Sequence, residues 1–298
     1  MTSDDWIGIA MLLGVFAIAL AGGSKNANRV VTPLTPAQQQ IRQEQSRQTI
    51  ESQVVNTQRQ VDQVSADMEA MKIAKTRSPY YGLVSMQYIS HSQNANEEYI
   101  SLYVNPQATS SVVITGWTLK SVRGGEVVTI PQGTYLIFPN SQNSKDNIIL
   151  TPGDTAYVNT GISPNGHSFK LNICSGYMNQ FQTYNPSFYT NCPAPRNENL
   201  SSIPDRVENN TCFDYIDRIS NCRIQTDPLP KTFSTECQNF ILTKINYGTC
   251  INTHKNDKDF YQHTWYVYLG RNVPLWKNTR EDIVLLDTNG KIVSEIKN

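Results

Sequence analysis

The chain carries two hydrophobic periodicities, and the first is helical. Residues 36–76 contain no glycine, and Thr35 followed by Pro36 is typical of a helix start. Because apolar side chains recur there at intervals of three, four and seven residues, we predict a long solvated helix, a coiled-coil-like stalk. This stalk either associates weakly with a second copy through residues 50–71 or packs as a monomer on the next domain. The apolar positions are Ile50, Val54, Val61, Val64, Met68 and Met71.

From residue 79 the periodicity becomes strand-like. Short runs rich in β-branched and aromatic residues alternate with Asn, Gly and Pro turns. In one run, Ile100, Leu102 and Val104 occupy alternate positions, as the buried face of a strand requires. We predict a mainly β fold, a β-sandwich whose first part at 79–195 is completed by C-terminal strands at 257–298.

A glycine–tryptophan pair lies inside one predicted strand, "SVVITGWTLKS". Alternation places Val113, Thr115 and Trp117 on one face of that strand, and the glycine lets the indole ring and a neighbouring strand approach closely. We predict that this strand and the closing hairpin supply core residues. These are Gly116, Trp117, Leu119, Leu285 and Leu286.

The run at 6–23 carries no charged side chain. Since about 18 apolar residues suffice to cross a bilayer, we predict a transmembrane helix there, between a short tail at 1–5 and a linker at 24–35. A cleaved signal peptide, for which Ala19-Leu20-Ala21 is a suitable cleavage pattern, and a buried helix are the alternatives. The acidic tail disfavours the signal peptide.

Charge narrows the class of protein. Basic and acidic residues balance at 25 each, and charged residues make up only 17% of the chain. The balance disfavours a dedicated nucleic-acid binder, and the low charged fraction suits an exported or cell-surface protein. Lys25 and Arg29, which follow the apolar run, would by themselves keep the C-terminal part in the cytoplasm.

All six cysteines lie in one window, from Cys174 to Cys250. Structural zinc sites use more closely spaced thiolate pairs, so we predict three disulfides, with free buried thiols as the alternative. Disulfides persist in oxidising compartments. We therefore expect a single-pass cell-membrane protein whose C-terminal domain lies outside the cytoplasm, in conflict with the charges that follow the apolar run.

Apolar residues at helical spacing follow Cys212 and Cys237 and predict a disulfide-bonded α-hairpin insert at 196–256. The hairpin resembles those with nested disulfides in twin Cys-x9-Cys proteins. Nested pairing places one bridge at the turn, one at the open end and the third around an aromatic loop. The corresponding pairs are Cys222–Cys237, Cys212–Cys250 and Cys174–Cys192.

The aromatic loop is the candidate binding surface, because tyrosines among Asn, Gln and Ser are typical of adaptable contact surfaces. Alternatively, its rings pack under the insert. The rings concerned belong to Tyr177, Phe181, Tyr184, Phe188 and Tyr189.

No catalytic motif is evident, and we predict no enzymatic activity, catalytic residue, metal site or cofactor. The histidines at 91, 167, 254 and 263 lack metal-ligand spacing, and His167 and His263 are interpreted as surface residues. Glu97-Glu98 and Asp257/Asp259 are interpreted as solvated charge, and Asp154 as a turn cap.

Four motifs occur in the order of a known domain: "ITGWTL", "IPQGTYL", "LTPGD" and "LLDTNGKIV". Together they resemble the lamin-tail domain, an immunoglobulin-like β-sandwich of nuclear lamins and of many bacterial and archaeal surface proteins. The resemblance covers residues 80–175 and 258–298, and the cysteine-rich insert departs from it.

The resemblance implies a non-enzymatic membrane-anchored cell-envelope protein of bacterial type, presenting a structural or adhesive module to a protein or glycan ligand. An accessory nucleic-acid- or glycan-binding domain of an exported hydrolase is one alternative, and a cytoplasm-facing scaffold is another. The first alternative requires a basic face on the sandwich, formed by Lys120, Arg123, Arg271, Lys277 and Arg280.

Overall fold

The computed structural model describes residues 35–139, 141–189, 191–204, 208–276 and 281–297. The predicted tail, the transmembrane segment and the linker up to residue 34 lie outside this range. Within it, no helix combines the length and the apolar character that crossing a bilayer requires. The chain divides into two units after Met68.

The predicted long helix is present as α1, Pro36–Thr76. At its start the Gln38 side chain caps the Thr35 N–H, which donates to Gln38 Oε1 (3.1 Å), and the first helical hydrogen bond runs from the Gln39 N–H to the Thr35 carbonyl (3.0 Å). None of its side chains is buried, so the apolar stripe faces solvent. Self-association through residues 50–71 stays a prediction.

The rest of the chain is rich in β structure, as predicted, and the strands form three sheets. One sheet has the order β1-β2-β7-β9-β8, another β11-β10-β4-β5, and a small one pairs β3 with β6. All pairs are antiparallel except β7 with β9. The strands are β1 Val84–Ser90, β2 Tyr99–Val104, β3 Val112–Val113, β4 Thr118–Ser121, β5 Val127–Thr129, β6 Ile149–Leu150, β7 Thr155–Asn159, β8 Phe169–Asn172, β9 Tyr261–Tyr268, β10 Ile283–Leu286 and β11 Ile292–Ile296.

Side chains from both larger sheets meet in one hydrophobic core. The predicted alternation in β2 is confirmed, because Ile100, Leu102 and Val104 are all fully buried. Trp117 and Trp265 are among the largest side chains of this core. Burial of aliphatic and indole surface is therefore what holds the two sheets together.

The glycine–tryptophan pair does not lie within a strand, and the predicted face was wrong. Gly116 has φ +84° and occupies a turn between β3 and β4, closed by the Trp117 N–H donating to the Ile114 carbonyl (3.1 Å). The turn shifts the alternation, so that Ile114 and Trp117 are buried while Val113 is exposed. Only glycine adopts this left-handed conformation without strain.

The predicted core residues are buried to different extents. Trp117, Leu119 and Leu285 are buried. Leu286 is only half-buried, because successive side chains of β10 point to opposite faces and Leu285 takes the inner one. Gly116 is also half-buried and brings its backbone close to the Thr288 side chain, which a Cβ at position 116 would approach to 3.3 Å.

The disulfide insert occupies the connection between β8 and β9. It contains α2 Asn210–Arg218, α3 Thr235–Lys244 and α4 Tyr247–His254, together with 3-10 turns at Ser175–Gln180 and Pro195–Asn197. The second helix of the predicted hairpin is thus two helices. Asn246 separates them: its Nδ2 donates to the Thr243 carbonyl (2.7 Å), and its Oδ1 accepts from the Thr249 N–H (2.9 Å). One side chain therefore ends α3 and begins α4.

All six cysteines form disulfides, as predicted, but the nested pairing was wrong. The bonds are Cys174–Cys250, Cys192–Cys222 and Cys212–Cys237. Cys212 and Cys237 each lie in the first turn of a helix, so the starts of α2 and α3 are joined. The break at Asn246 places Cys250 on a separate helix, where it reaches Cys174 at the beginning of the insert.

Candidate functional site

The insert carries an open cleft of about 360 Å³. The C-terminal part of α2 contributes Tyr215 and Arg218, and the segment that follows contributes Arg223, Gln225 and Asp227. The sequence had suggested only a connector between helices for most of this segment. The cleft therefore arises from how the connector is held.

The wall of the cleft is fixed by contacts distant in sequence. Gln180, in the first 3-10 turn, donates from Nε2 to the Ile224 carbonyl (3.0 Å) and accepts at Oε1 from the Ile224 N–H (2.7 Å). Immediately before it, Cys222 is bonded to Cys192, and Asn221 Nδ2 donates to Asn191 Oδ1 (3.1 Å). A segment held by a disulfide and paired hydrogen bonds loses little conformational entropy on binding a ligand.

The floor of the cleft is apolar. Ile219, Ile224 and Tyr215 are half-buried and pack against the core of the insert. The Tyr215 ring is held edge-on by Phe233, with 5.3 Å between ring centroids. The ring is thus positioned before any ligand binds.

The rim of the cleft is charged. Arg218 and Arg223 are both exposed, and within the described part of the chain neither forms an ion pair. The same holds for Asp227, which also lines the cleft. Two guanidinium groups therefore remain available for an external acceptor, which arginine binds in a planar, two-pronged geometry.

The aromatic loop is not the predicted contact surface, because three of its five rings are interior. Tyr177 packs in the core of the insert, and burial raises its pKa to about 12. Tyr184 and Phe188 pack with Phe169 and Tyr266 in a separate aromatic cluster beside the sheet. Only the remaining two, Phe181 and Tyr189, are exposed, at 62% and 87%.

An ion cluster around one buried carboxylate joins three strands of the larger sheet. Asp154, fully buried, accepts hydrogen bonds from His263 Nδ1 (2.6 Å) and Lys170 Nζ (3.2 Å). It also accepts from the Thr151 N–H (2.9 Å), which confirms the predicted turn cap. The cluster therefore connects β7, β8 and β9 to one another.

One other sequence interpretation needs correction. Glu98 is not solvated: it is fully buried and accepts from Thr160 Oγ1 (2.7 Å) and from the Leu275 and Trp276 N–H groups (2.5 and 3.2 Å). Burial raises its pKa more than these hydrogen bonds lower it.

His254 links two acidic side chains, Glu198 through Nε2 (3.0 Å) and Asp257 through Nδ1 (2.7 Å). Burial alone would lower its pKa, but these carboxylates raise it. This histidine therefore ties the end of α4 to the second 3-10 turn of the insert.

Three of the five residues predicted to form a basic face are described. Arg271 is paired with Glu126 (3.0 Å), and Lys120 and Arg123 are exposed on or after β4. Lys277 and Arg280 lie outside the described residues, so the basic face of a nucleic-acid site stays a prediction.

Comparison with family models, with curated proteins and with solved structures finds no match.

Proposed function

We propose that this chain is a non-enzymatic, membrane-anchored cell-envelope protein that presents a disulfide-stabilised interaction module outside the cytoplasm. The observation that carries the proposal is the insert, in which three disulfides support a positioned cleft with two available arginines. Disulfides of this number belong to oxidising compartments. In this proposal residues 6–23 anchor the chain, and α1 separates the module from the membrane.

We also propose that the β domain is a lamin-tail-like sandwich in which the insert replaces a simple connection. Two features support this. The larger sheets share one core, and the C-terminal hairpin β10–β11 completes the sheet that contains β4 and β5. The hairpin is closed by the Gly290 N–H donating to the Asp287 carbonyl (2.9 Å), as its Asn-Gly sequence indicates.

Thiol labelling in intact cells tests the location. A membrane-impermeant maleimide should not label the wild-type chain. After a membrane-impermeant reductant has acted without denaturant for long enough to open the insert, the maleimide should label six cysteines. The variant Cys192→Ser provides a matched control. It frees Cys222, which is half-buried, and this single thiol should react in intact cells without reductant.

The opposite pattern contradicts the proposal. If the wild-type cysteines react without reductant, and only after the cells are lysed, the insert is reduced and cytoplasmic. Protease accessibility of the C-terminal domain in intact cells gives an independent measurement, with cleavage expected without lysis.

A further inference from the structure

The charge of the insert cleft selects the charge of its ligand. Arg218 and Arg223 contribute two positive charges and Asp227 one negative charge, which leaves a net charge of +1. A single carboxylate matches this charge. A phosphate monoester carries about −1.5 to −2 at neutral pH and would be repelled more strongly by Asp227.

The neutral groups of the cleft indicate the chemistry of the uncharged part of the ligand. The hydroxyls of Ser220 and Thr226 line it and are exposed, while Tyr215 and two isoleucines provide an apolar floor. A sugar ring presents hydroxyls at its edge and C–H groups on its faces, so it satisfies both kinds of contact. A peptide that binds by strand addition would instead require the edge of a sheet, and the cleft is lined by a helix end and an irregular segment.

The size of the cleft agrees with this chemistry. Small-molecule sites occupy roughly 300–1,000 Å³, and the volume here is about 360 Å³. The cleft therefore admits one or two sugar units of a longer chain, and it is open, so that the remainder of that chain can extend into solvent.

We propose that the insert cleft binds a carboxylate-bearing sugar unit of an acidic glycan. Arg218 and Arg223 hold the carboxylate, Ser220 and Thr226 bond the ring hydroxyls, and Tyr215 packs against the sugar face. This inference rests on the proposed function, because it identifies the ligand of the same module.

Calorimetric titration of the purified full chain tests the inference. The probe is hyaluronan tetrasaccharide, in which every second sugar carries one carboxylate, and cellotetraose is the neutral control of equal length. Hyaluronan tetrasaccharide should bind and cellotetraose should bind at least about tenfold more weakly, since a charge-assisted hydrogen bond contributes about a factor of ten or more. Arg218→Gln and Arg223→Gln should each weaken binding about tenfold.

A matched variant and a salt series keep the test independent of folding. Lys244→Gln removes an exposed positive charge from α3, outside the cleft, and should leave the affinity unchanged. In the wild-type chain, raising the salt concentration should weaken binding of the acidic tetrasaccharide, because exposed charges are screened. Each variant is used only if its circular dichroism spectrum and its protected cysteines match those of the wild type.

Three outcomes overturn the inference: equal binding of cellotetraose, tighter binding of glucose 6-phosphate or tetraglutamate, and no binding of hyaluronan tetrasaccharide. If thiol labelling places the insert outside the cell while the acidic sugar does not bind, only this inference fails. If the insert proves cytoplasmic, the proposed function fails whatever the titration shows.

Discussion

The core between the two larger sheets and the core of the insert are closed by different kinds of bond. The first contains no cysteine and is built from aliphatic side chains and indole rings on paired strands. In the second, all six cysteines lie in or against the core, among helices of only 8 to 10 residues. Isolated helices shorter than about 12–15 residues are marginal in water.

The two regions therefore obtain their stability from different sources. Strand pairing and a continuous apolar core make the β domain independent of redox state. The insert is too small to be stabilised by apolar burial alone. Disulfides that restrict its unfolded chain supply the rest of its free energy of unfolding. Reductant should therefore lower the stability of the insert and leave that of the β domain unchanged.

The largest effect is expected from Trp117→Ala, which removes a fully packed indole from the β core. The free energy of unfolding of the β domain should fall by about 3–5 kcal/mol, measured by urea titration with far-UV circular dichroism. Val113→Ala, on the exposed side of the preceding strand, should change it by less than about 0.5 kcal/mol. An unchanged midpoint for the tryptophan variant would show that this core does not stabilise the sheets.

Removal of individual disulfides should destabilise the insert in order of loop length. The Cys174–Cys250 bond closes a loop of 76 residues and the Cys212–Cys237 bond one of 25. Loop-closure entropy gives about 4.5 and about 3.5 kcal/mol, respectively. Double Cys→Ser variants, followed by urea titration of the insert, measure the difference of about 1 kcal/mol. The reverse order would indicate that native contacts rather than chain entropy dominate.

A smaller effect is expected at the break between α3 and α4. Asn246→Ala removes hydrogen bonds to both helices and should lower the stability of the insert by about 1–2 kcal/mol. The matched variant Asn239→Ala lies mid-helix, where alanine is the better helix former, and should cause no loss. Equal urea midpoints for the two variants would contradict the capping role.

The smallest effect is a pH dependence of opposite sign in the two regions. His254 in the insert has a pKa raised from 6.5 in the folded state, because carboxylates outweigh burial. Its contribution to the free energy of unfolding is complete below pH 6.5 and is lost as the pH rises through the raised pKa. This contribution is less than about 1 kcal/mol. His254→Gln should flatten this loss in thermal melts between about pH 5 and pH 8.

Asp287 gives the opposite dependence in the β domain. Burial would raise its pKa, but bonds from Ser78 Oγ and from the Lys291 and Asn289 N–H groups lower it below 3.8. Its contribution is complete above that value and is lost as pH falls through the lowered pKa. In thermal melts at acid pH, the β domain of the Ser78→Ala variant should therefore lose less stability with falling pH than that of the wild type. The insert should be equally stable in both.

Local signals in the sequence were enough for part of the fold. The start of α1 follows from Thr35-Pro36, the closing hairpin from Asn289-Gly290, and disulfide formation from clustered cysteines without zinc spacing. Each depends on residues that are near one another in the chain. Disulfide pairing does not, and it was mispredicted because Asn246 was not recognised as a cap that interrupts a helical pattern.

The sequence also contains one signal of a long-range strand pairing. The segments Asp154–Val158 and His263–Val267 share the pattern of a charged or titratable residue followed by Thr-x-Tyr-Val. In the structure they are neighbouring parallel strands with Thr155 opposite Thr264, which brings Asp154 to His263. The cleft had no such signal, because its wall depends on a bond between Gln180 and Ile224, 44 residues apart.

The Cys174–Cys250 bond also sets the mechanical path through the molecule. Once a force applied along the chain has separated the strands of the β domain, the covalent path crosses this bond, and the 76-residue separation is bypassed. The insert and its cleft then bear no tension. Reduction of the three bonds followed by unfolding of the insert would add roughly 250 Å of extensible chain to that path, so the length of the pulled chain depends on the redox state of its surroundings.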